Sequence, residues 1–337
     1  MHRPSLHRAA RVNMRMSTAP RSLFVGYLTS IQALDRPLSS VLKRNWLLYI
    51  YEAIELALFM ISACAFSLLL FDSSSPAFRA FPSTVVRRIL MAIAMGITAI
   101  LIIHSPMGKR SGAHFNPVIT LTYFRLGKIG LCDAAFYVVF QFIGGICGVA
   151  IATAVFGNSL SRPAVEYAVT VPGRYGIVAA FFAELFMAIV LMAVILLLSN
   201  TARLAIYVSY SVGVLIALYT FFFAPISGFS INPARTTGSA LFAGIWTAGW
   251  LYFVAPLMGM LSAAEVYTRL GVNASVLCAK LHPDPALPCP FLCSFPGHRH
   301  VRDPHESDTK PLVVKMSIES QSRDQFGEHS RDEEFRR

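Results

Sequence analysis

The sequence predicts an all-α membrane protein with six transmembrane helices plus two re-entrant half-helices, arranged as inverted three-plus-three repeats. Three observations carry this. Of 337 residues, 55% are hydrophobic and only 14% charged, against about 25% charged in soluble chains. Six apolar segments, at about 46–71, 85–104, 133–156, 176–198, 203–223 and 247–268, are each long enough at about 1.5 Å per residue to cross a hydrocarbon core of about 30 Å. Finally, the pattern Ser-Gly-x-x-x-Asn-Pro occurs twice, at Ser111–Pro117 and at Ser227–Pro233.

The chain divides into three parts: a basic arm over 1–44, a domain over 45–270 that holds all six apolar segments and both boxes, and a tail over 271–337. The arm reads as lacking fixed structure. Residues 1–45 carry eight Lys/Arg against the single acid Asp35. The apolar run that follows is too long for a secretory signal and lacks a small-residue cleavage site. The tail from Arg269 onward holds ten charges of each sign, and its Pro-, Ser- and His-rich composition has no helical period, so disorder is expected. The net charge of +11 is therefore concentrated beside the first span. That placement suits an anionic leaflet and gives no nucleic-acid reading.

Backbone groups in lipid must be bonded within the segment, so all six spans are expected to be helices. An even number puts both termini on one side. The arm, Lys109, Arg110, Arg125, Lys128 and Arg203 fall on one face; Arg79, Arg87, Arg88, Arg162 and Arg174 fall on the other. The arm decides for cytoplasmic termini under the positive-inside rule, and the cell membrane is the expected location.

The two repeated boxes are too apolar for ordinary loops and too short for spans. One follows the second span and the other the fifth. Three spans separate them, an odd number, so the second copy must be inverted, the arrangement in which broken helices meet near the midplane. Asparagine is a strong N-cap, and proline is favoured at the first helical position because its missing N–H would be unbonded there anyway. Asn116 and Asn232 are thus each expected to start a half-helix of about ten residues, roughly 15 Å, with the positive dipole ends pointing at the junction. Irregular backbone ahead of each Asn is tolerated at that depth only along a wet cavity. Its carbonyls then form a ladder of acceptors and the two Asn amides a pair of donors, a pore for small neutral solutes that opposes cations and protons. Glu52 in the first span and Glu184 in the fourth echo one another; intramembrane acids are functional hypotheses by default, and both read as supports for these loops.

The paired boxes Asn116-Pro117-Val118 and Asn232-Pro233-Ala234, Ser111 to His114 ahead of the first, Arg235 directly after the second, and the early Glu52 and Glu184 together resemble the major intrinsic proteins, the aquaporins and aquaglyceroporins. The resemblance covers about 46–268. It implies a six-helix, two-half-helix channel, homotetrameric with one pore per subunit, surrounded by membrane lipids and needing no cofactor. Val118 departs from the Asn-Pro-Ala pattern; its bulk should alter how one tip meets the other while leaving the cap of Asn116 intact.

The resemblance also implies a second constriction of four residues: Arg235, Phe229 three before Asn232, Thr220 twelve before it, and Met95, chosen over Gly96 because the loop ahead of the first box is one residue longer than usual. Arginine offers fixed donors and a full charge. The set lacks the histidine that strict water channels carry at the position of Thr220, so passage of glycerol- or urea-like solutes with water is expected. Thr236, Ala240, Tyr252 and Phe253 look more like the water-selective branch, and mainly water is the alternative.

Other features read more plainly. Glu55 has no echo and is expected to line a wet surface. His114 reads as a buried, hydrogen-bonded loop residue that supports the first box. Gly144, Gly145 and Gly148, and Gly249 with Gly259, are spaced for close helix approach. Cys278, Cys289 and Cys293, with His282, His298 and His300, are irregularly spaced, so no metal site is expected, and the tail cysteines suit lipidation. Asn273-Ala274-Ser275 fits a glycosylation acceptor that cytoplasmic placement leaves unused. A secondary transporter needs protonatable groups at the midplane, and an enzyme needs a catalytic constellation at matched depth; the sequence offers neither.

Overall fold

In a computed structural model of the chain, the structure describes residues 38–201, 203–270, 276–282, 284 and 287–295. The arm up to 37, the acceptor pattern at Asn273, and His298 and His300 lie outside the described residues. Among the described residues the eight longest helices are α1 (Leu38–Phe71), α2 (Thr84–His104), α3 (Pro117–Arg125), α4 (Leu131–Phe156), α5 (Gly176–Ser199), α6 (Val208–Phe222), α7 (Pro233–Ala243) and α8 (Leu251–Arg269), with short helical turns at Pro76–Ala80, Pro106–Ser111 and Ala224–Ser227. Six of them are long and apolar enough to span a membrane. The other two, α3 with nine residues and α7 with eleven, are half that length.

The expected boundaries hold to within a few residues except at the first. Helix α1 begins at Leu38, not 46, and its 34 residues reach about 51 Å. Its first two turns carry Lys43 and Arg44, which a hydropathy pattern ends at but a helix passes through. Pro256 sits inside α8 without ending it. Proline is tolerated in a packed span where neighbours satisfy the freed backbone groups.

The packing repeats with the sequence. α1 lies along α4 as α5 lies along α8, and α2 crosses α6 at the seam between the halves. Small residues set these distances. A Cβ on Gly144 would fall 2.2 Å from the carbonyl oxygen of Ala53, and one on Gly148 2.6 Å from that of Ala57, so α4 meets α1 backbone to backbone. Gly145 does the same toward α7, where its Cβ would lie 2.5 Å from Ala234 O. Gly259 approaches α5 at Leu185 in this way, but Gly249 faces only its own Trp246, so it makes no helix contact.

Large apolar side chains point outward along every span, among them Leu101, Val155, Phe182 and Val214, as lipid-facing surfaces require. All three tryptophans are exposed near helix ends. Trp46 with Tyr207 and Tyr210 marks the face where α1 begins, and Trp246 and Trp250 with Tyr175 mark the opposite face, the two aromatic belts of a membrane protein.

Candidate pore

The two half-helices meet at their N-terminal tips. Asn116 caps α3, its Oδ1 accepting from Val118 N at 2.9 Å. Asn232 caps α7, accepting from Ala234 N at 3.1 Å and Arg235 N at 3.2 Å. Each Asn amide also reaches across the junction: Asn116 Nδ2 donates to Ile231 O and Asn232 Nδ2 to Phe115 O, both at 2.8 Å. The acceptor in each case is the carbonyl directly before the other Asn. An amide nitrogen carries two N–H groups, so each Asn keeps one donor beyond this crossed pair. Val118 is buried and leaves the cap of Asn116 in place.

The loops ahead of the tips share one backbone pattern. Gly112, Ala113 and Phe115 have positive φ in the first, and Gly228, Phe229 and Ile231 in the second. Non-glycine residues adopt this region only when the surroundings dictate it, and here the carboxylates do so. Glu52 accepts from His114 N at 2.9 Å, Phe115 N at 2.6 Å and Gln141 Nε2 at 2.7 Å. Glu184 accepts from Ser227 Oγ at 2.7 Å, Ser230 N at 2.9 Å and Ile231 N at 2.5 Å. With successive N–H groups drawn to one side, the carbonyls of the same peptides face the other.

The first half carries additional parts. Glu55 does not line a wet surface: it is fully buried and accepts from Ser111 Oγ at 2.8 Å. The second half places Met187 at the same offset from Glu184 and gives Ser227 to Glu184 instead. Gln141 links Glu52 to Thr120 Oγ1 at 3.0 Å, and Thr120 in turn meets His114 Nδ1 at 3.1 Å. Sequence reading missed a symmetric pair of tyrosines. Tyr137 donates to Ser111 O at 2.7 Å and Tyr252 to Ser227 O at 2.6 Å. Both come from the third span of their half, and their near-equal offsets from the two Asn-Pro boxes were the signal available.

Toward the face opposite the start of α1, a cavity of about 360 Å³ opens, and Met95, Thr220, Phe229 and Arg235 all line it. Gly96 instead packs against the carbonyl of Gly213. Thr220 Oγ1 donates back to Ile216 O at 2.8 Å. Arg235 Nη1 is buried without a protein acceptor. Phe59, Ala63, Ala168 and Val169 also line the cavity, as do Arg88, Ser67 and Ser230; nothing in their spacing singled them out. Thr236 and Tyr252 are not among the lining residues. Thr236 bonds Thr170 and Ser230, and Phe253 is half-exposed on the outer surface.

On the face where α1 begins, residues 276–282 and 287–295 fold under the first loop. Leu281 N donates to Gly112 O at 3.0 Å, and Leu277 N to Asn200 Oδ1 at 2.6 Å. Ala279 O meets His114 Nε2 at 2.7 Å, and the ring of Phe291 stacks on that of His114 at 5.6 Å and 7°. This part of the tail has no helical period, yet it is packed, because helix ends and the re-entrant loop supply its partners. Cys278, Cys289 and Cys293 converge within it, with sulfurs within 4.8 Å of one another. Their burial argues against the lipidation their position suggested.

Residues 40–267 match the family model described as major intrinsic protein. Aquaporin Z of Rhodopseudomonas palustris is 30% identical over 198 residues, which is 56% of this chain and 82% of that protein. Aquaporin NIP1-2 of Arabidopsis thaliana is 30% identical over 184 residues, 53% of this chain and 62% of that one. Among solved structures, the X-ray structure of the aquaglyceroporin from Plasmodium falciparum is similar with a TM-score of 0.57 at 19% identity, covering 67% of this chain and 96% of that one. At that identity the likeness is one of fold.

Proposed function

The chain belongs to the major intrinsic protein family of integral membrane channels, and on that premise we propose that it is a passive pore for water and small uncharged solutes of glycerol or urea size, closed to ions and protons. The observation that carries the reading is the composition of the cavity wall. Met95, Phe59 and Phe229 give the wall apolar surface beside Thr220, whose hydroxyl donates to Ile216 O, and the guanidiniums of Arg235 and Arg88 supply charged donors. A polyol with carbon on one side and hydroxyls on the other matches such a wall, and no imidazole narrows it.

Ion exclusion rests on three charges of one sign. Arg235 lines the wide end, and the positive dipole ends of α3 and α7 face each other at the junction. Stripping a cation there finds only carbonyls and amides to replace its water. Among the described residues, those lining the cavity include no carboxylate, which speaks against an ion-coupled carrier. Thr236 and Tyr252, whose identities favoured the water-selective branch, support the loops through hydrogen bonds in place of lining the cavity. We further propose that the protein is a homotetramer in the cell membrane, with the arm and tail cytoplasmic.

Stopped-flow light scattering on proteoliposomes tests this. After a glycerol jump the vesicles should shrink and then reswell, whereas sorbitol should give shrinkage alone. Thr220→His should abolish reswelling and keep most of the water flux. Shrinkage without any reswelling in the parent would overturn the wider reading in favour of mainly water.

A further inference from the structure

Three cysteines that the pore does not use lie together on the face where α1 begins. Cys278, Cys289 and Cys293 are all buried, with sulfurs within 4.8 Å of one another and Cys278 Sγ 3.5 Å from Cys289 Sγ. Thiolates bound to one ion at about 2.3 Å sit roughly 3.8–4.0 Å apart for tetrahedral or trigonal angles, so the triangle has the dimensions of a single-ion site.

The surroundings bring hydrogen-bond donors and cationic side chains to the sulfurs. Lys280 N donates to Cys278 Sγ and Phe295 N to Cys293 Sγ, each at 3.4 Å and each from two residues further along the chain. Such backbone donors stabilise coordinated thiolate and orient it. Lys280 is fully buried, with Nζ on Pro288 O at 3.2 Å, and both it and Lys128 lie within electrostatic reach of all three sulfurs. A buried ammonium needs a counter-charge. Asp284 lies within electrostatic reach of Lys280, and three thiolates on a monovalent or divalent ion, net negative, add a second counter-charge.

We propose that Cys278, Cys289 and Cys293 form a three-thiolate site for a thiophilic closed-shell cation, Zn²⁺ or Cu⁺, which fastens the C-terminal segment beneath the first re-entrant loop. Hard cations prefer oxygen donors and are disfavoured by sulfur alone. Binding is a ligand exchange with no redox change: each thiol releases its proton and its sulfur lone pair bonds the ion. Three sulfurs complete a trigonal Cu⁺ site, and Zn²⁺ adds a fourth ligand such as water. The site acts where the tail touches the pore. Ala279 follows Cys278 directly, Phe291 lies midway between Cys289 and Cys293, and both contact His114. Losing the ion should therefore loosen the segment that seats the first loop.

The test needs no transport measurement, so it stands or falls apart from the pore reading. Full-length protein is purified under reducing conditions, loaded in separate arms with Zn²⁺ or Cu⁺, desalted, and analysed by elemental mass spectrometry. One ion per chain is expected in at least one arm, falling to near zero in the triple variant C278S/C289S/C293S and unchanged in C132S/C147S. Co²⁺ alone should give thiolate charge-transfer absorption in the near ultraviolet. Because the triple variant can fail to fold, the native chain gives a second readout: chelation should raise the number of reagent-accessible thiols by three. Equal metal content in the triple variant, no chelator-dependent change in thiol reactivity, or a purified chain lighter by two hydrogens through a Cys278–Cys289 disulfide would each overturn the proposal.

Discussion

Glu184→Gln separates a structural carboxylate from a bystander. Oε1 accepts from Ser227 Oγ and Ser230 N, and Oε2 from Ile231 N. Every one of these contacts can use an acceptor, and a glutamine amide replaces one acceptor oxygen with a donor. In either flip of the amide a buried N–H of the loop then faces another N–H. An unsatisfied buried donor costs about 1–3 kcal/mol, and loss of charge assistance on the remaining bonds adds up to about 1, for a total of roughly 1–4 kcal/mol. At about 2–4 °C per kcal/mol for a cooperative unit of about 150–250 residues, thermal unfolding in detergent should come roughly 2–16 °C earlier. The effect should extend to flux, because the peptide of Ile231 also holds Asn116 Nδ2 through its carbonyl at 2.8 Å. Water permeability of proteoliposomes, normalised to reconstituted protein, should fall several-fold. Glu265→Gln is the control: it removes only exposed contacts to Arg125 and Arg269, worth less than about 1 kcal/mol. Matching melting curves and fluxes for Glu184→Gln and the parent would refute the role given to this carboxylate.

Three further outcomes follow from the same geometry. Gly145→Val should prevent α7 from seating on α4, since even its Cβ would stand 2.5 Å from Ala234 O; loss of a monodisperse peak in size-exclusion chromatography checks this, and a normal peak contradicts it. Phe291→Ala should destabilise by about 3 kcal/mol, the lower end for a large aromatic-to-alanine change, because it uncovers His114 and Gly112; denaturant unfolding followed by tryptophan fluorescence reads the shift. The backbone N–H of Ser74, followed by the Ser74 hydroxyl and Arg162, holds the Asp72 carboxyl below its usual 3.8. A lowered carboxylate contributes stability above its unfolded value and loses it as pH falls through its folded value. Hydrogen exchange of 72–83, corrected for intrinsic rate, should thus stay constant from pH 8 down to about 4, while Asp72→Asn should raise it already at pH 7.

Much of the site could be read from sequence because it is built from local rules used twice. Asn-Pro marks a cap and first turn wherever it occurs, so Asn116 and Asn232 announced both half-helices, and the inverted repeat located their meeting point. Glu52 and Glu184 stood out because a charge in a span demands a reason. What escaped detection depends on contacts between distant segments. Glu55 was misread because its partner, Ser111, lies 56 residues away and its counterpart in the other half is Met187. Gln141 and the tyrosine pair are ordinary residues in apolar helices until folding brings loop carbonyls and carboxylates to them. The three cysteines of the tail look unrelated at spacings of eleven and four; prolines between them let the chain double back, and no helical or strand period reports that. Gly249 shared the look of a packing glycine, yet only a neighbouring helix can make it one.

The central claim is that two asparagine-capped tips, tied crosswise, border a single water-filled passage. A high-resolution density map of the protein in lipid nanodiscs tests it directly. The account predicts each Asn amide within about 3 Å of the carbonyl preceding the other, a hydrogen-bond distance, with a file of ordered water running past both from the Arg235 cavity. Tips held apart by intervening side chains, or bonded tips with no water beside them, would contradict it.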